Sequence, residues 1–357
     1  MNETLSGLVS RYSPSGSEKP AVDWLVGRMQ ALGYTQSFVD GAGNAVGVMG
    51  CGSRQVVLLG HIDTVPGELP VREDKGVLYG RGVVDAKGPL AAFVDAIAAL
   101  GEIEGWQFVV IGAVDEERDS CGARFVAAQY RPDFAVIGEP NHWQRVALGY
   151  KGVAWAELTF LRAQSHSASR NQTACESAFE TWSLLHGYAC QYNAGKPRAF
   201  DQLLLTLRAI RSDENHLRQR AILQIDTRLP PAITPEQWYE QLRIFAGDAE
   251  ITRQSYAVPA WTCEKNTPLV RSFLAAIRAH GGTPSFVYKT GTADLNTVAP
   301  IWRCPALVYG PGDSALDHTQ DECLSLEEYQ KAVTILVSAL TNLINRTENK
   351  LQNTTAD

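Results

Sequence analysis

The sequence predicts an α/β fold: a mixed, mostly parallel sheet covered by helices, interrupted by an inserted α+β domain of ferredoxin-like order. Three observations carry this. Short, uninterrupted apolar runs alternate with helical stretches from Glu18 to Gly138, as strands buried on both faces require. Between Gly152 and Trp261 the strands become longer and alternate apolar with polar residues, as half-exposed strands do. Beyond Trp261 the first pattern resumes, so 1–151 and 262–357 read as one split domain and 152–261 as the insert.

Taken in order, the apolar spacing from Glu18 to about Leu32 is helical, and the Ser13-Pro-Ser-Gly-Ser17 turn before it can cap that helix. Val56–Gly60, Phe108–Val114 and Phe134–Gly138 read as buried strands, separated by helices Pro89–Leu100 and Gly122–Tyr130. In the insert, Val153–Leu161, Leu203–Ile210, Ala221–Thr227 and Glu250–Ala257 are strands, and Ala174–Gln191 and Pro235–Phe245 are helices. Their order is β-α-β-β-α-β. Thr267–His280 is helical, Ala306–Tyr309 a short strand, and Leu326–Ile344 a closing helix that Ser325 and Glu328 can start as a capping box. The Asn/Thr-rich stretch after about Arg346 is expected to fray.

Composition narrows the function. A net charge of −7 disfavours nucleic acid, whose phosphates want a basic surface. No apolar run reaches bilayer length, so a membrane span is not expected. Seven scattered cysteines without a C-x-x-C pair suit free thiols in a reducing compartment, and the absence of a basic-then-apolar start points to the cytoplasm.

The ionisable residues fall where an open α/β sheet places its ligands, just past the carboxyl ends of buried strands. VVLLG runs into His61 and Asp63, VVIGAV into Glu116 and Glu117, AVIG into Glu139, and VYGPG leads on to His318. Asp85 stands in the glycine-rich turn Gly80-Arg-Gly-Val-Val-Asp85. Two histidines and three carboxylates suit two divalent cations that share a bridging acid. Without cations the same carboxylates would repel one another and raise their pKa values. Glu116, beside Glu117, can serve as a base that is not itself a ligand. The i, i+2 spacing of His61 and Asp63 on an extended chain lets Asp63 orient the imidazole. Each feature alone is a common surface motif. A degraded dinucleotide fingerprint at Gly80-x-Gly82 fails, because Asp85 takes the third glycine position and would repel a phosphate.

The segments GHIDTVP, GRGVVDAKG, AVDEERDS, IGEP and GDSALDHT, in this order over nearly the whole chain, resemble the M20 metallopeptidases. The resemblance implies a zinc-exopeptidase type fold carrying a lid and dimerisation insert, hence a homodimer. It implies two divalent ions, Zn²⁺ with Co²⁺ able to substitute. One would be held by His61, Asp85 and Glu139, the other by Asp85, Glu117 and His318. Glu116 would be the general base, the Asp85-Ala86 peptide would be cis, and His166 would reach a partner's active site to steady the oxyanion. Asn215 and Arg228 match positions that hold a substrate carboxylate, although Asn-His-Leu-Arg departs from the usual Asn-x-Ile-Pro. Lys289, Gly291 and Thr292 match a pocket-lining loop.

Within that family, KTGTADLN and YGPGDSALDHT resemble hydrolases of lysine and arginine biosynthesis. These release lysine or ornithine from the C-terminal γ-glutamyl group of a small acidic carrier protein. From Lys151 to Trp261 there are 12 basic and 11 acidic residues, against 20 and 28 in the remainder. Arg208, Arg211, Arg218 and Arg220 crowd one stretch, which can steer an acidic partner or simply be a solvated hairpin. The alternatives are an acetyl-ornithine or acetyl-lysine deacetylase and, from another class, a metal-dependent amino-acid-binding protein without turnover.

Overall fold

The computed structural model of the chain describes residues 3–166 and 168–354. The chain forms two compact units, one made of Met1–Gly149, Cys263–Tyr288 and Ala293–Asp357, the other of Tyr150–Thr262 and Lys289–Thr292. The short segment Lys289–Thr292 thus packs with the insert, although the sequence reading left it with the flanking domain.

The first unit is built on a mixed sheet with a parallel centre, in the order Trp106–Ala113, Arg54–His61, Phe134–Gly138, Ala306–Val308. Val56–Leu59 are wholly buried, as a strand covered on both faces must be. Ala45–Met49 and then Gln36–Val39 extend the sheet antiparallel on one side, and Arg145–Tyr150 does so on the other. These antiparallel strands escaped the sequence reading: Gln36–Val39 is largely exposed and AVGVM is too short to show a period. Helices Lys87–Leu100 and Pro268–Ala279 each pack on Leu326–Thr354. All seven cysteines are free thiols.

The second unit has the expected β-α-β-β-α-β succession: Gly152–Ala163, Ala174–Asn193, Leu204–Glu214, Arg218–Leu229, Pro235–Ala246 and Glu250–Val258. Its strands pair antiparallel throughout, the second beside the third, the third beside the first, the first beside the fourth. That is the ferredoxin-like order. Leu158, Phe160, Leu223 and Ile225 point to the helices and bury against Leu185, Trp238 and Leu242. The opposite face carries Trp155, Glu157, Arg220, Ile222, Gln224 and Arg228, all partly or fully exposed.

Three local expectations change. Ser13–Ser17 do not cap the helix Lys19–Ala31, whose N-cap residue Glu18 makes no side-chain cap bond. The turn is stitched instead to the end of the strand Arg54–His61, with Ser13 Oγ donating to the Ile62 carbonyl at 2.8 Å. The capping box of the last helix is only half formed. Glu328 N approaches Ser325 Oγ at 3.4 Å, but the Glu328 carboxylate accepts from Trp143 N and Gly312 N and faces His142 Nδ1 at 3.1 Å. Finally, that helix runs on to Thr354, past the expected fraying point. Its buried stripe Leu336, Leu340 and Leu343 anchors it, and the Thr347 hydroxyl donates back to the Leu343 carbonyl at 2.7 Å.

Candidate metal centre

His61 ends its strand with the imidazole buried between two carboxylates. Nδ1 faces Asp63, 3.1 Å from its carbonyl and 3.3 Å from Oδ1, while Nε2 lies 3.1 Å from Asp85 Oδ1. The other oxygen of Asp85 is 3.0 Å from His318 Nε2, which is also 3.1 Å from Glu117 Oε1. One ligand atom each of His61, Asp85 and Glu117 falls within a 4.8 Å cluster. Asp85 therefore offers one oxygen to each histidine. The peptide following it, Asp85-Ala86, is cis.

Asp63 is fully buried and knits this arrangement together. Its Oδ1 accepts from Glu116 N at 3.1 Å, and its Oδ2 from Glu117 N at 3.1 Å and from the Ser15 hydroxyl at 2.7 Å. The residue that aims the imidazole thus also fixes the backbone of the glutamate pair.

Burial and mutual repulsion shift Glu116, Glu139 and Asp294 upward. Burial raises the Glu116 carboxyl well above the usual range; His61 opposes this, and Glu139, Asp294 and Glu117 add to it. Glu139 is raised likewise by burial, with Asp85, Asp294 and Asp317 adding to it against His61. Burial pushes Asp294 up to about 7. His318 is pushed up to about 10 by its hydrogen bonds to Asp85 and Glu117. Negative charge is crowded beyond what two imidazoles offset, so the grouped His61, Asp85 and Glu117, with His318 against both acids, fit a divalent cation.

The remaining sequence-marked residues lie in the second unit. Arg228 Nη1 donates to Thr292 Oγ1 at 3.0 Å, and Thr292 Oγ1 donates on to the Lys151 carbonyl at 3.1 Å. Lys151 N bonds the Lys289 carbonyl at 3.3 Å, with Gly291 between these anchors. His166 is exposed, its Nδ1 accepting from Ala168 N at 3.1 Å. Asn215 Oδ1 accepts from Leu217 N and Arg218 N, so it caps its own hairpin turn and can donate outward only through its amide nitrogen. In the arginine-rich stretch, Arg220 is tied to Asp213 at 2.6 Å and Arg208 stacks 5.6 Å from the Trp155 ring.

Sequence reasoning missed Ser15, Arg81, Asp294 and Glu322. Ser15 sat in a turn read as a helix cap, Arg81 lies inside a motif credited to Asp85, and Glu322 lies three residues past the segment credited to His318. Asp294 begins a helix, Asp294–Trp302, where only a loop was expected.

Residues 57–342 match the model of peptidase family M20/M25/M40. The chain is 44% identical over 353 residues to a Deinococcus radiodurans protein named "[LysW]-lysine hydrolase", covering 96% of each chain. It is 36% identical to a Thermococcus kodakarensis protein named "Putative [LysW]-lysine/[LysW]-ornithine hydrolase", covering 96% of this chain and 91% of that one. The fold resembles the M20 metallo-carboxypeptidase Sso-CP2 of Sulfolobus solfataricus, at TM-score 0.76 and 16% identity over 95% of this chain and 98% of that one. It also resembles aminopeptidase PepT of Bacillus cereus, at 0.77 and 17% over 96% and 99%. With its divalent-metal donor set and its fold, the chain belongs to peptidase family M20/M25/M40 and is a metal-dependent amide hydrolase.

Proposed function

We propose that the enzyme releases lysine or ornithine from the C-terminal γ-glutamyl group of a small acidic amino-group carrier protein. The 44% identity over 96% of the chain to a protein named "[LysW]-lysine hydrolase" carries this reading. Two Zn²⁺ ions, replaceable by Co²⁺, would be held around a bridging Asp85, in the cytoplasm where free thiols persist. No helix among the described residues is long and apolar enough to cross a membrane.

Cations held there would polarise the scissile carbonyl and acidify a water to a pKa of about 7. Glu116 takes the proton from the attacking water and returns it to the departing amine nitrogen. Its backbone, pinned by Asp63, keeps the carboxylate in place beside Glu117. Asp63 fixes the orientation of His61 so that Nε2 points at Asp85. His166, contributed by the insert of a second copy in a homodimer, donates to the oxyanion. The insert acts as a lid. Arg228, Asn215 and the Lys289–Thr292 loop, with Gly291 and Thr292, grip the substrate carboxylate, for which the Arg228–Thr292 bond preorganises the guanidinium. The exposed arginines of the insert steer the carrier.

The deciding assay uses purified enzyme with Zn²⁺ or Co²⁺ against carrier-linked lysine, carrier-linked ornithine, acetyl-ornithine and acetyl-lysine. Faster kcat/KM on an acetylated amino acid than on either carrier-linked substrate would install the deacetylase reading instead.

A further inference from the structure

Glu322 has a role that the chemistry above does not use. It is 1% exposed, and its carboxylate accepts four hydrogen bonds. Oε2 takes Arg81 Nη1 and Gly82 N, both at 3.0 Å; Oε1 takes Val84 N at 2.9 Å and Asp85 N at 3.1 Å. Arg81, itself buried, donates from Nη1 to the Thr319 carbonyl at 3.1 Å and from Nε to the Gly67 carbonyl at 2.9 Å. One end of this ion pair lands on the backbone N–H of Asp85 and the other on the residue next to His318.

We propose that the buried Arg81–Glu322 pair is a positioning device that holds the loops carrying Asp85 and His318 in place, so that the two side chains would serve a cation together. The turn before Asp85 cannot satisfy itself. Gly82 has φ +82°, and a Cβ there would meet Thr64 Cγ2 at 2.6 Å, so the turn is fixed and its N–H groups need an outside acceptor. The small antiparallel ladder of Cys323–Ser325 with Val77–Tyr79 stops one residue short of Glu322 on one strand and of Gly80 on the other. From there the backbones are joined by a long bond, Gly80 N to the Glu322 carbonyl at 3.4 Å. The side-chain pair takes over where the ladder ends. Burying two charges is costly unless they are paired and bonded, and here the carboxylate takes four hydrogen bonds while the guanidinium gives three. The bonds converge on the two loops that carry cation-facing side chains. Partners of this kind typically govern metal affinity by about 10–100-fold.

This inference rests on the metal-centre reading, and the experiment separates the two. Metal-free wild type, Glu322→Gln and Arg81→Lys are titrated with Co²⁺ against a competing chelator, with visible absorption reporting coordination and circular dichroism reporting fold. Glu322→Gln sets an amide N–H₂ against backbone donors; affinity is expected to fall about 10–100-fold, with an altered Co²⁺ spectrum, in folded protein. Arg81→Lys keeps the charge but loses the forked bonds to Thr319 and Gly67, so a smaller, several-fold loss is expected. If Glu322→Gln does not fold, Arg81→Lys decides. Wild-type affinity and spectrum in the folded variants would overturn the positioning role. Failure of the wild type to bind Co²⁺ would instead overturn the metal centre itself.

Discussion

Replacing Asp63 by Asn tests the site at its most connected point. Each carboxylate oxygen faces two donors: Oδ1 faces Glu116 N and His61 Nδ1, and Oδ2 faces Ser15 Oγ and Glu117 N. An amide has one oxygen, so either orientation turns its N–H₂ toward two donors. The Ser15 hydroxyl can rotate and accept, but a peptide N–H cannot. The better orientation therefore strands only Glu117 N, and since a hydrogen bond to a charged group contributes about 1.5–3 kcal/mol, the variant should lose about that much. Urea denaturation of metal-free protein at neutral pH measures this. Burial opposes the Asp63 charge, yet its bonds with His61, Ser15 and Glu117 hold its carboxyl below the usual range. A folded pKa below the unfolded value gives stability that is present above about pH 4 and lost as pH falls through the folded value. The gap between wild type and variant should therefore narrow below about pH 4. A difference under about 1 kcal/mol at neutral pH, or a gap that widens in acid, would refute the four-donor account.

Glu116→Gln should keep its metals by elemental analysis and lose about 10²–10⁴ in kcat; near-normal turnover removes Glu116 as the base. His166→Ala should lose about 10²–10³ in kcat, and mixing it with a metal-dead chain should restore part of the activity if the histidine acts in a partner's site. No recovery in verified mixed dimers would place it in its own chain. Arg228→Ala should raise KM for every substrate bearing the carboxylate far more than it lowers kcat; a pure kcat effect would contradict a binding role. If the arginine face docks an acidic carrier, KM for the carrier-linked substrate should rise with salt while KM for acetyl-lysine stays flat.

The parallel centre of the sheet was legible because strands such as Val56–Gly60 are apolar throughout, and few other structures tolerate that. The insert was legible because Val153–Leu161 alternates. Lone edge strands such as Gln36–Val39 carry no such signal, since nearly all of their side chains face water and no alternation is left to read. In the site, the histidines and acids at strand ends stood out by residue type and position. Ser15 and Glu322 did not, because the Asp63 carboxylate that takes the Ser15 hydroxyl and the backbone N–H groups that Glu322 accepts are brought near only by folding, and a string of letters does not display that. The same limit explains the Ser13–Ser17 turn: its serines had two available partners, the next helix or the strand end after His61, and only packing chooses between them.

The sheet order also sets a timetable. Ala306–Val308 must slot beside Phe134–Gly138, and His318 and Glu322 arrive later still. Pairings so distant along the chain are slow to form and leave early segments waiting at the ribosome. A nascent chain that already contains His61, Asp85 and Glu117 lacks the partner and the clamp that complete the centre. On the proposed metal centre, cation capture would belong to the last stage of synthesis, and its free energy would stabilise finished molecules rather than half-made ones.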